Sequence, residues 1–288
     1  LLFLTGCGNT EYRRFQMQGI GYFDSFVIFT AYAPNEAAFS HYAVQVFERL
    51  HELHQLFDIF RSHDGVTGLY QVNANAGISP VTVPQEVISL LQNAQEAYAL
   101  THGVVNITLG PVLHLWRTTS PCEEALQHAA QYANIHDMII ENNTIFLQRA
   151  GMSLDVGSIA KGYAAALVME MLAQGTLPAA LLNLGGHIAA YNAPPNRNGW
   201  AAEIANTAIR VSLSNATLSV SSAFERAGHI VDPTSLHPAR RFAQVAVQHE
   251  CAWTADILST ALFILPKEEG MQLAQAHGAH VFYLHLEE

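Results

Sequence analysis

The sequence predicts an α+β fold in which antiparallel sheets pack against helices. Three observations lead there. The 288 residues are half hydrophobic and only 13% charged, a globular balance that excludes disorder, collagen and coiled-coil rods. Strand and helix signals are mixed with few β–α–β units, so a doubly wound parallel sheet is not expected. No linker or short repeat divides the chain, so residues 18–288 read as one domain.

Residues 19–32, GIGYFDSFVIFTAY, are rich in β-branched and aromatic side chains and read as a strand. Asn35 then opens a long helix, in which Phe39, Val44, Phe47, Leu50, Leu53 and Phe57 recur at helical spacing. On that helix His51 and His54 are near enough to share a metal, but HELH is not the HExxH of zinc proteases, and two partly exposed helix histidines are expected. Residues 62–83 lack periodicity and read as a loop, and Pro84 starts a second helix to about His102. The apolar run VVNITLGPVLHLW predicts a strand or bend broken at Gly110-Pro111. A short helix near 122–133 follows, and Asn142-Asn143 marks a two-residue hairpin turn. Residues 158–174 form a helix that stops at Gly175, and AALLNLGG is a strand running into a glycine turn. Strands near 200–204, 209–213, 216–221 and 242–248 precede a helix from about Thr254, and HVFYLHL closes the order as a strand.

Charge and cysteine usage narrow the function. Thirteen basic against 24 acidic residues give a net charge of −11, which opposes a sequence-independent grip on nucleic acid. Lys161 and Lys267 are the only lysines. Three dispersed cysteines, Cys7, Cys122 and Cys251, provide neither a disulfide framework nor a CxxC zinc site. After the N-terminus no segment has the ~18 consecutive apolar residues of a membrane span.

Four stretches carry candidate chemistry. In SLDVGSIAKGY, Asp155 ends an expected strand, Gly157 allows a close turn and a helix begins near Ser158, so backbone N–H groups and Lys161 converge where an anion could sit. Ordinary helix capping would look the same, and the GxxxxGK[ST] phosphate loop is absent. Asn183-Leu184-Gly185-Gly186 permits either close backbone approach to a ligand or a tight turn. Asp256 and Thr260 are four apart on one helix face, a pair of hard oxygen ligands suited to Mg²⁺ or an acidic first turn favoured by the helix dipole. His229, in HIVDP, is either an imidazole for proton transfer near neutral pH or a structural histidine before a turn.

In this order the stretches resemble the ApbE family of FAD:protein FMN transferases. The similarity runs through Phe23-Asp24-Ser25, Val72-Asn73, Thr108-Leu109-Gly110-Pro111 with Leu115-Trp116, Asp155 to Tyr163, Asn183 to Gly186, Ser221-Ser222, His229 to Pro233 and Ala255-Asp256 to Thr260. The resemblance implies a T-fold-like α+β architecture. It also implies Mg²⁺-dependent transfer of the FMN half of FAD, through a phosphoester bond, onto a Thr or Ser of an acceptor flavoprotein, with release of AMP. It assigns Mg²⁺ to the side chains of Asp256 and Thr260 and the Ala160 carbonyl. Lys161 and Gly157 would lie along the diphosphate, Asp155 with Asn183, Leu184, Gly185 and Gly186 would line the flavin pocket, and His229 would be the base. The chain departs from the family pattern at Thr67-Gly68, Val105-Asn106 and His187, the family's GGD reading Gly185-Gly186-His187, and has a short segment and a single histidine after Ser222. An FAD pyrophosphatase giving FMN and AMP, or a non-catalytic FAD-binding lipoprotein, are the alternative expectations.

The N-terminus adds an address. Leu4-Thr5-Gly6-Cys7 resembles the lipobox of bacterial lipoproteins, so residues 1–17 read as signal remnant and tether, with Cys7 lipidated. The expected place is the bacterial cell envelope, facing the periplasm, with the membrane met through the lipid anchor alone.

Overall fold

A computed structural model describes residues 11–223 and 229–285; Cys7 and the lipobox lie outside the described residues. The chain order is β1 (Arg13–Tyr22), β2 (Ser25–Ala33), α1 (Glu36–Phe57), α2 (Leu69–Ala74), β3 (Val81–Thr82), α3 (Gln85–Leu100), α4 (Gly110–Thr118), α5 (Glu123–Ala130), β4 (Met138–Glu141), β5 (Thr144–Leu147), α6 (Ala160–Ala173), β6 (Ala179–Leu184), β7 (His187–Tyr191), β8 (Trp200–Glu203), β9 (Arg210–Leu213), β10 (Ala216–Ser222), β11 (Gln244–His249), α7 (Ala252–Ile264), α8 (Lys267–Ala276) and β12 (His280–Leu284).

Seven strands form one antiparallel sheet in the order β1-β2-β6-β7-β10-β11-β12. One face carries α1, α6 and α7 over the main core, which includes Phe29, Leu50, Leu53, Leu182 and Phe263. The other is covered by the β8–β9 ribbon, whose Trp200, Ala202 and Leu213 pack with Ala190, Leu218 and Ala246. Helix α7 is apolar on all sides, and every residue from Ala255 to Ile264 is buried, as expected of a helix enclosed by other elements. Its few polar side chains therefore need partners inside the protein.

The expected α+β class holds, and several elements differ from the sequence reading. The strand expected over 19–32 is two strands, joined at Phe23-Asp24, where both residues take left-handed backbone (φ 51° and 53°) without glycine, and Tyr22 pairs with Ser25. Strand β1 starts at Arg13, inside the stretch read as tether, because RRFQMQ is an edge strand whose polar side chains hide its alternation. The expected strand at VVNITLGPVLHLW is a 3₁₀ turn at Ile107–Leu109 followed by α4, with Pro111 in the first helical turn, where no N–H is required. The loop read over 62–83 contains α2 and β3, both too short for a periodic signal. Strand β7 and helix α8 are further elements that the sequence reading passes over. Val44 keeps its helical spacing but is 50% exposed, on the outer side of α1. The Asn142-Asn143 hairpin forms as expected, with Glu141 paired to Thr144 and Asn142 at φ 52°.

Candidate active site

The site is built where α6 crosses α7. Gly162 lets the helices meet: a Cβ at that position would lie 2.5 Å from the Asp256 Cβ and 2.9 Å from the Ala252 carbonyl. The close approach allows the Gly162 N–H, a first-turn donor of α6 without an intrahelical acceptor, to donate to Asp256 Oδ2 at 2.7 Å. Asp256 Oδ1 accepts from the Ser219 hydroxyl of β10 at 2.9 Å. Ser259, one turn along α7, lies 3.2 Å from Ser219 Oγ and 3.0 Å from Ser221 Oγ and donates to the Asp256 carbonyl. Burial alone would push the Asp256 carboxyl up, but the His187 imidazole, the Lys161 ammonium and the Gly162 N–H outweigh it, and the group stays below the usual carboxylate range. A buried carboxylate thus sits beside the first turn of α6.

His187 follows the Gly185-Gly186 turn directly. Both glycines have positive φ (57° and 86°), and Leu184 pairs with His187 across a two-residue turn. The Asn183 side chain accepts from the Gly186 N–H, and Gly185 lies so close to Ser25 that a Cβ would stand 2.3 Å from its hydroxyl. The turn therefore delivers a 1% exposed imidazole whose Nδ1 is 3.5 Å from Asp256 Oδ1. At that distance the pair makes no well-formed hydrogen bond, and among the described residues neither ring nitrogen has a hydrogen-bond partner.

Asp155 is placed differently from the sequence expectation. It ends no strand; residues 152–156 belong to no helix or sheet ladder. The Asn73 side chain substitutes for the missing partner strand, accepting from the Leu154 N–H at 2.7 Å and donating to the Leu154 carbonyl at 3.0 Å, while the Asp155 N–H donates to the Ile107 carbonyl. The Asp155 carboxylate accepts from the Gly157 N–H at 3.0 Å and pairs with Arg117, whose guanidinium also lies 5.3 Å from the centre of the Phe60 ring. Helix α6 starts at Ala160, two residues after the expected Ser158, leaving Gly157 exposed in the turn before it.

The structure therefore brings Ala160, Lys161 and Asp256 to one helix crossing, with Thr260 one turn further along α7 and 8% exposed, and sets the Asn183–Gly186 turn next to them through His187. His229 is half-buried just after residues 224–228, which lie outside the described residues, and leads into an antiparallel bridge between Val231 and Pro238. The sequence reading passed over Ser219, Ser259 and Arg117. The only available signal was the period-two serines of β10 and a serine three after Asp256 on the same helix. A cleft of about 420 Å³ beside α4 and α5, lined in part by His114, His128, Tyr132 and Ser153, contains none of these residues. Asp256, Ala160 and Lys161 meet instead at the crossing of α6 and α7.

Comparison with known proteins identifies the family and the fold. The model of the ApbE family matches residues 23–283. The chain belongs to the ApbE family. Among similar sequences, FAD:protein FMN transferase of Klebsiella pneumoniae (strain 342) is 29% identical over 263 residues, covering 85% of this chain and 80% of that protein. FAD:protein FMN transferase of Treponema pallidum (strain Nichols) is 29% identical over 279 residues, covering 84% of this chain and 76% of that protein. The fold matches the flavin transferase ApbE from Vibrio cholerae with a TM-score of 0.83 at 21% identity, over 95% and 94% of the two chains. It matches the apo flavinyl transferase ApbE of Pseudomonas stutzeri with a TM-score of 0.83 at 24% identity, over 96% and 92%. The expected ApbE-like α+β architecture is therefore the observed one.

Proposed function

We propose that this chain is an FAD:protein FMN transferase that moves the FMN half of FAD onto a Thr or Ser of an acceptor flavoprotein and releases AMP. The observation that carries the reading is the buried Asp256, braced by the Gly162 N–H and Ser219 at the start of α6 beside Lys161. The named relatives support it.

The donors assigned to the metal are a carboxylate, a hydroxyl and a main-chain carbonyl, from Asp256, Thr260 and Ala160, and hard oxygens of this kind fit Mg²⁺. When bound there, Mg²⁺ supplies Lewis-acid charge to the diphosphate. Lys161 adds the fixed positive charge of α6, and the Gly157 turn leaves room for the backbone to approach a phosphate. The acceptor hydroxyl oxygen bonds to the FMN phosphorus, the pyrophosphate P–O bond breaks, and AMP departs with the bonding pair. His229 takes the hydroxyl proton, and Asn183, Leu184, Gly185 and Gly186 line the flavin side with Asp155. In the cell, lipidated Cys7 holds the protein on the bacterial envelope, facing the periplasm.

Incubating the protein with FAD, Mg²⁺ and a Thr-containing acceptor tests the reading, and a covalently flavinylated acceptor is expected. Free FMN and AMP instead would assign a pyrophosphatase, and bound but unchanged FAD a non-catalytic flavin carrier. In the same assay Asp256→Asn should abolish Mg²⁺-dependent transfer. His229→Ala should slow transfer by about 10²–10⁴-fold with little change in FAD binding; full activity in that variant ends its assignment as the base.

A further inference from the structure

A second cluster of metal-ligand type lies outside this site, at the C-terminal end of α1. His54 occupies its last turn, Asp58 follows it directly and His63 comes from the loop leading to α2. One ligand atom from each lies within 4.8 Å of the other two. The three are partly shielded; the Asp58 side chain is 7% exposed and that of His63 22%. We propose that His54, Asp58 and His63 bind a divalent transition-metal ion of the Zn²⁺ class, which clips the loop after α1 to the helix.

The donor set decides the class of ion. Two imidazoles and one carboxylate suit Zn²⁺ and its neighbours, whereas Mg²⁺ and Ca²⁺ prefer oxygen throughout. Burial holds His54 below the ordinary histidine value. Despite the cost of burial, the Phe60 N–H, the His63 ring and the Arg61 N–H keep Asp58 below the usual carboxylate range. The carboxylate is also oriented in advance. Its Oδ1 accepts from the Phe60 N–H at 2.7 Å and the Arg61 N–H at 3.1 Å, which leaves Oδ2 turned to His63 Nε2 at 2.9 Å. Outer hydrogen bonds of this kind commonly fix a metal-binding carboxylate. The ion would replace that Asp58–His63 hydrogen bond and the long 3.3 Å contact from the Phe23 N–H to His54 Nδ1.

The clip has a place in the fold. It closes the turn that carries Phe60, and Phe60 lies against Arg117, the partner of Asp155. A metal at His54, Asp58 and His63 thereby steadies one wall of the region before α6 without belonging to the Asp256 cluster.

The test is Zn²⁺ titration of the whole chain by calorimetry, with excess Mg²⁺ present to occupy the oxygen site, and thermal melting of the same samples. Wild type should bind one Zn²⁺ and melt higher with it. His54→Gln and His63→Gln should each weaken that binding by about tenfold or more while melting like metal-free wild type. Asp256→Asn should bind Zn²⁺ as wild type does. Absence of Zn²⁺ binding by wild type, wild-type affinity in both Gln variants, or loss of binding in Asp256→Asn would each overturn the assignment. Should a Gln variant melt low without metal, Co²⁺ absorption of wild type decides, since histidine ligation alters its ligand-field bands and an all-oxygen site does not.

Discussion

At the scale of single residues, the site depends on a hydrogen atom in place of a methyl group. Gly162 has no room for a Cβ, because the atoms it would meet are the Asp256 Cβ and a main-chain carbonyl, neither of which is a flexible tip. Gly162→Ala should therefore cost about 1–3 kcal/mol of stability, the usual scale of overpacking, and separate α6 from Asp256. Denaturant unfolding measures the first effect and loss of FMN transfer the second; a variant with wild-type values for both would show that the helices part without consequence. His187 is the other residue on which the site turns. Where the family pattern has an acid, this chain places a buried imidazole against Asp256, so the charge in the pocket differs from the pattern by a full carboxylate.

At the scale of elements, a side chain takes the place of a strand. Residues 152–156 reach the site without a ladder because Asn73, 81 positions from Leu154, supplies both hydrogen bonds that a neighbouring strand would give. Asn73→Ala should cost about 1–3 kcal/mol, the penalty for leaving buried backbone groups unpaired, and should impair FAD binding as the turn before α6 loosens. Chemical denaturation and flavin titration of the variant check this, and unchanged values would show that Leu154 finds other partners. The same example explains what the sequence disclosed. Asn35, the apolar face of α1 and the Asn142 turn were legible because their signals are local, a cap, a periodicity and a two-residue turn. Asp256 and Thr260 stood out through their one-turn spacing. The support of Asp155 by Asn73 and Arg117 and the contact of Ser219 with Asp256 did not, because those contacts join residues 37 to 81 positions apart, and no pattern along the chain encodes them.

At the scale of the whole molecule, the sheet ends at β12, where Tyr283 lies against α8. Among the described residues its buried hydroxyl has no hydrogen-bond partner, and burial, with a smaller contribution from Glu268, pushes its pKa up to about 12. An acid with a raised folded pKa contributes stability that is complete below its unfolded value of about 10 and is lost as pH climbs toward 12. Thermal melting at rising alkaline pH should show that loss in wild type and less of it in Tyr283→Phe, which should be as stable as wild type or more so near neutrality. An equally steep alkaline decline in both proteins would place its origin elsewhere. The order of elements has a consequence for synthesis on the ribosome. Asp256 is translated 94 residues after Gly162, a delay of roughly 5–20 s at about 5–20 residues per second. Through that interval the nascent chain holds the Gly162 N–H, and over its last 37 residues the Ser219 hydroxyl, without their acceptor. The crossing of α6 and α7 closes only once α7 has been made.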